Sequence, residues 1–180
     1  KLYTGNGTTQ SISGYINGSG SFNGSSSYID TNSTSIYSAK NKITLSAWVN
    51  FSNLNTNNYI FSGSNNFGFY DYGNGYIYFL PDSTTTANKG YYQVSGLYTT
   101  HEWVNIVMVF DGTASGNSSR LKAYVNGNPI TLTYTGTIPT TTNTATSNLL
   151  IGKSTTLGTF FSGSIDQVRI YDTALSSTDI

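Results

Sequence analysis

The chain has 180 residues, enough for one domain that buries most of its unfolded surface without cross-links, and it contains no cysteine. Only 9% of the residues are charged and the formal net charge is zero, against about 25% charged in ordinary soluble domains. With no cluster of Lys and Arg beyond Lys40 and Lys42, and no apolar run longer than Ile106 to Phe110, the sequence predicts neither nucleic-acid binding nor membrane insertion.

Ser, Thr and Asn supply solubility in place of charge, and fifteen Tyr and nine Phe supply much of the apolar area. Cysteine avoidance fits an extracellular, cell-surface or virion-surface protein. No hydrophobic leader follows Lys1-Leu2-Tyr3-Thr4, so an exported protein of this sequence is expected to be a mature chain or a module excised from a larger surface protein.

Residues 1–35 are polar, interrupted by Tyr15-Ile16, Phe22 and Tyr28-Ile29, which read as short strands or an ordered N-terminal stretch and not as a helix. Ile43 to Phe51 alternates strictly: Ile43, Leu45, Ala47, Val49 and Phe51 share one face, as a sheet with one core side requires. A hairpin follows, with Phe67 and Phe69 on one arm and Ile77 and Phe79 on the other. Its turn, Asp71-Tyr72-Gly73-Asn74-Gly75, contains two glycines that permit positive φ. Tyr70, Tyr76 and Tyr78 then share the opposite face.

Trp103 to Phe110 is nearly all apolar and predicts a strand buried on both sides. Leu121 to Val125 is the next strand, Asn126-Gly127-Asn128-Pro129 a turn, and Ile130 to Tyr134 another strand. Leu149 to Gly152 and Ser164 to Tyr171 complete the set. Only Ala174 to Ile180 has any helical character. Many short strands with regular turns predict an all-β, two-sheet antiparallel sandwich, a single domain over 1–180.

These segments, in order, resemble the laminin G-like jelly roll of the concanavalin A-like lectin and glucanase superfamily. The residues that carry the resemblance are Phe22-Asn23-Gly24 with Tyr28-Ile29, Ile43 to Val49, Trp103 to Gly112, Leu121 to Gly127, Leu150-Ile151-Gly152 and Phe161 to Tyr171. The segment Gly163-Ser164-Ile165-Asp166-Gln167-Val168-Arg169-Ile170-Tyr171 is the most specific. The resemblance implies two packed sheets, one concave, and functions spread over sugar binding, protein adhesion and scaffolding. After Phe22 the family usually carries acidic residues, where this chain reads Asn23-Gly24-Ser25-Ser26-Ser27-Tyr28.

Catalysis finds little support. Glu102 is the only Glu and His101 the only His, no two carboxylates sit two or four residues apart, and the Glu-x-Asp-x-x-Glu arrangement of related glucanases is absent, so no enzyme is expected. Asp166 lies in phase with Val168 and Ile170 and is expected to point inward. An inward carboxylate needs a partner: one structural calcium, with Asn23 as a further ligand, or backbone N–H donors.

Sugar binding needs rings to stack on C–H faces and amides or carboxylates to meet hydroxyls. The hairpin and its neighbour offer Asp71, Tyr72, Asn74, Tyr76, Tyr78, Tyr91 and Tyr92 for this, with Tyr70 beside them. The expected partner is therefore a glycan or a cell-surface or matrix protein, alongside neighbouring domains of a longer chain. The alternative is a structural spacer or decoration domain making only protein contacts.

Overall fold

A computed structural model describes residues 9–12, 14–82 and 88–180, with backbone only for 9–12; the opening residues Lys1 to Thr4 lie outside it. The longest alternating segment forms β4 (Lys42–Phe51), and its Ile43, Leu45, Ala47, Val49 and Phe51 are wholly buried. It lies at the centre of a seven-stranded antiparallel sheet. Before it come β1 (Thr9–Ile12), β2 (Ser19–Asn23) and β3 (Ile29–Asp30). After it come β5 (Asn58–Ser62), β6 (Gly68–Asp71), β7 (Tyr76–Leu80), β8 (Lys89–Gln93) and β9 (Trp103–Asp111). The chain then makes β10 (Leu121–Val125), β11 (Asn128–Ile130), β12 (Thr133–Thr135), β13 (Leu150–Ile151) and β14 (Ser162–Tyr171).

One sheet has the order β1-β2-β14-β4-β9-β10-β11 and the other β12-β8-β7-β6-β5-β13-β3. Their facing sides enclose one core, with Leu45, Ile106 and Phe110 from the first sheet against Phe61, Phe69 and Phe79 from the second. Among the described residues, helix is confined to one turn, α1 (Asn117–Arg120), and a three-residue 3-10 turn at Ser64–Asn66. The all-β, two-sheet antiparallel sandwich is therefore as expected.

β9 is buried on both sides, for two reasons. Ile106, Met108 and Phe110 enter the core, while Val107 and Val109 pack with Tyr124 beneath Ala174 and Ile180 of the closing segment.

Three expectations are corrected. Ile130 to Tyr134 is not one strand: β11 pairs with β10 in the first sheet, β12 with β8 in the second, and the chain crosses between them at the buried Leu132. Pro129 has no N–H to donate, which suits β11 to a sheet edge. Ala174 to Ile180 is not helical. Too short to nucleate a helix, it lies across the first sheet, pinned where the Thr44 hydroxyl donates to Thr173 O (2.8 Å) and accepts from Leu175 N–H (3.0 Å). Asp166 does not share a face with Val168 and Ile170. A bulge between Asp166 and Arg169, with Gln167 at φ 47°, restarts the alternation, so Ile165 enters the core and Asp166 lies opposite Trp48 on the outer face.

Candidate functional site

The outer face of the second sheet is built from tyrosine. Cross-strand register places Tyr59 of β5 opposite Tyr70 of β6, Tyr70 opposite Tyr78 of β7, and Tyr78 opposite Tyr91 of β8. The four rings form a row across four strands, with successive centroids 4.3, 5.8 and 5.8 Å apart and interplanar angles of 22°, 27° and 34°. Such directly opposed aromatic pairs are the units that stabilise a sheet face. Tyr59 and Tyr70 are buried in the row, and burial pushes both phenols above their ordinary pKa. Tyr72 stands over the row, 5.9 Å from Tyr70 and 5.7 Å edge-on to Tyr78, and is 42% exposed. Tyr76 flanks Tyr91 at 5.7 Å.

Beside this row lies a cleft of about 350 Å³ lined by Tyr59, Tyr70, Tyr72, Tyr78 and Lys89, with Asn66, Thr156 and Leu157 on its far side. The Thr156 hydroxyl donates to Asn66 Oδ1 at 3.0 Å, tying the far side together. Leu157 is 56% exposed. Lys89 Nζ sits 4.4 Å from the Tyr78 ring centroid.

The β6–β7 turn positions Tyr72. Gly73 has φ 68°, and a Cβ there would meet Thr56 backbone at 2.7 Å, so glycine is required both for conformation and for space. Gly73 N–H donates to Asp71 Oδ1 (2.8 Å), Tyr76 N–H to Asn74 Oδ1 (3.2 Å), and Asn74 Nδ2 to the Tyr78 hydroxyl (3.1 Å).

Tyr72, Tyr76, Tyr78 and Tyr91 thus share one face, and Asn74 touches it from the turn. Asp71 and Tyr92 do not join them. Each is one residue from a ring on the outer face, so the two-residue period of a strand sends it to the other side. Asp71 is buried, held by Gly73 N–H and by the Tyr98 hydroxyl at 3.0 Å, and Tyr92 packs against the core. Tyr59, Asn66, Lys89, Thr156 and Leu157 were not anticipated; the first sits in a bulged strand, and the last two arrive from a distant loop.

The two residues considered for calcium do not fit a shared ion. Asn23 lies opposite Ser162 on β14, four residues from Asp166, or about 13 Å along the strand. Asn23 Oδ1 accepts N–H groups of Ser25, Ser26 and Ser27 at 2.9–3.0 Å. Asp166 Oδ1 accepts from Gln167 N–H (2.7 Å) and Oδ2 from Ile16 N–H (2.9 Å). Oxygens already faced by N–H dipoles are poor cation ligands. Among the described residues no group of three His, Cys, Asp or Glu could hold a metal. Asp166 instead fastens the loop that stacks Tyr15 on Trp48 at 3.5 Å.

Residues 23–180 match the family described as the concanavalin A-like lectin/glucanases superfamily, in its laminin G-like group. No curated protein matches the chain in sequence. Among solved structures, domain 4 of an extracellular GH43 arabinanase from Geobacillus stearothermophilus, in complex with arabinotriose, is similar. It is 20% identical with a TM-score of 0.61, covering 95% of this chain and 78% of that one. The botulinum neurotoxin serotype G binding domain is 15% identical with a TM-score of 0.66, covering 99% of this chain and 44% of that one. Mouse laminin α1 domains LG4-5 are 13% identical with a TM-score of 0.62, covering 88% and 44%. At these identities the likeness establishes the sandwich fold.

Proposed function

Because the chain belongs to the laminin G-like group of the concanavalin A-like lectin/glucanase superfamily, we propose that it is a non-catalytic carbohydrate-binding or adhesion module of an extracellular, cell-surface or virion-surface protein, with the tyrosine cleft as its binding site. The observation that carries this reading is the exposed Tyr72 ring, held by a hairpin over a packed tyrosine row beside an open cleft. A flat ring fixed by its neighbours loses little freedom when a sugar's C–H face covers it. Hydroxyls on that sugar would meet the Asn66 amide, the Thr156 hydroxyl and the Tyr78 phenol, which already accepts from Asn74 and so can donate. The arabinanase domain, whose structure holds arabinotriose, lends this reading support as a likeness of fold.

A glycan array followed by calorimetry tests it. Tyr72→Ala is expected to weaken binding of an array hit by about tenfold or more, some 1.4 kcal/mol, while the melting temperature stays within about two degrees of the parent's. A blank array, or hits untouched by Tyr72→Ala and Tyr78→Ala, would favour the spacer reading.

A further inference from the structure

We infer that the tyrosine cleft selects a sugar residue bearing a carboxylate, and that Lys89 is the counter-ion that meets it. The inference rests on the carbohydrate-binding reading above.

The chain is sparing with charge, having eight Lys and Arg in all. Three of the other seven have evident structural employment. Lys40 pairs with Asp172 at 3.0 Å and Lys42 with Asp111 at 3.1 Å, and Arg120 donates to the carbonyls of Ala114 and Ile138. Lys89 holds its ammonium over the Tyr78 ring inside the cleft. No acidic residue lines that cleft among the described residues, and residues 83–87 carry no charge. Asp71, the carboxylate in the hairpin, is turned to the core side and engaged there by Gly73 and Tyr98. The cleft therefore presents a positive charge to whatever enters it.

Lys89 is also placed by the sheet, not by a loop. It opens β8, whose next residue, Gly90, faces inward opposite Phe79, where a Cβ would lie 2.7 Å from the Leu132 side chain. Lys89 and Tyr72 both abut Tyr78 and both line the cleft. One pyranose ring with its exocyclic carboxylate can thus stack on Tyr72 and reach the ammonium together. A lysine resting on an aromatic face gains a modest attraction, whereas a carboxylate gives it a charge-assisted hydrogen bond. An acidic sugar is therefore favoured over its neutral twin, and the preference is electrostatic and weakens with salt.

Calorimetry with two matched pairs tests this on the whole chain: trigalacturonic acid with its methyl ester, and sialyllactose with lactose. The expected result is that the acid of one pair binds about tenfold more tightly than its neutral twin. That margin should shrink from about 50 to about 300 mM salt, and in Lys89→Gln the acid should bind no more tightly than its twin. The pair that responds tells a uronic acid from a sialic acid. Equal affinity for acid and twin, both lost in Tyr72→Ala, would overturn the acidic selectivity and leave the carbohydrate reading standing. An acid preference that survives Lys89→Gln would overturn the role of Lys89. If neither pair binds while neutral array hits do, the selectivity is overturned alone; if no sugar binds, both readings fall.

Discussion

Asp71 carries a pH signature that separates its structural role from a binding one. Burial raises its pKa, and the hydrogen bonds from Gly73 N–H and the Tyr98 hydroxyl only partly offset that. The folded state therefore binds this proton more readily than the unfolded chain does. Its contribution to stability is full below the unfolded value, about 3.9, and is lost as pH rises through the raised folded value. Asp111 behaves oppositely. The Thr113 hydroxyl and Lys42 lower its pKa, so its contribution is present above the unfolded value and is lost as pH falls through the lowered one. Asp71→Asn keeps the shape and an acceptor for Gly73 N–H. Melting temperatures of parent and variant, measured from neutral pH down to about pH 4, should shift in the parent's favour as pH falls. A difference that is constant, or that moves the other way, would remove Asp71 from the buried network.

Asp166 makes a second prediction at this scale. Asp166→Ala leaves Ile16 N–H and Gln167 N–H without their acceptor, a loss of about 1–3 kcal/mol, or a fall of several degrees in melting temperature, with the Tyr15 loop freed from Trp48. Since these N–H groups occupy its oxygens, EDTA should leave the parent's melting temperature unchanged. A fall in EDTA that calcium restores would return the ion to this site.

At the scale of elements, the tyrosine row divides residues that hold the face from those proposed to meet a ligand. Tyr70 is packed between Tyr59 and Tyr78, so Tyr70→Ala should cost about 3–5 kcal/mol of unfolding free energy in a denaturant titration, whereas Tyr72→Ala should cost stability little. Equal losses in the two variants would mean that Tyr72 is part of the packing and not a platform. Much of the face was legible because strand alternation is a local signal. Ile43 to Phe51 and the Phe67–Leu80 hairpin are written in a period of two, which puts Tyr76 and Tyr78 together. The same period puts Asp71 and Tyr92 opposite their neighbours, so their exclusion was also legible. β5 was not: a bulge between Tyr59 and Phe61 leaves Tyr59, Ile60 and Phe61 all buried, with no alternation to read. Nor was the row itself, because the register Tyr59–Tyr70–Tyr78–Tyr91 depends on pairing between strands and not on any one of them. Asp166 was misread for the same kind of reason, one inserted residue at Gln167 reversing the phase.

For the whole molecule, the two outer faces of the sandwich are treated differently. Tyrosines line the second sheet's outer face, while residues 172–180 lie over part of the first. There Ala174 and Ile180 cover Val107, Val109 and Tyr124, an apolar patch a solvated face would otherwise expose. The closing segment has little to hold it besides this contact, the exposed Lys40–Asp172 pair, and Thr44, which is fully buried although it faces outward. An exposed ion pair contributes little. The Thr44 hydroxyl donates to Thr173 O and accepts from Leu175 N–H, so one side chain satisfies two backbone groups of the segment. Thr44→Val keeps the volume and removes both bonds, stranding a donor and an acceptor at a buried contact. The expected cost is about 2–4 kcal/mol if both groups stay buried, and less if the segment lifts off and finds water. The two cases differ in observable ways: lifting exposes Val107 and Val109, raising binding of a hydrophobic dye and protease cleavage within 172–180. Thr44→Ser, which restores the hydroxyl, should recover most of the parent's protease resistance. If Thr44→Val matches the parent in melting temperature and in protease resistance, the segment is held by its apolar contacts alone and the hydroxyl bridge contributes nothing to closing this face.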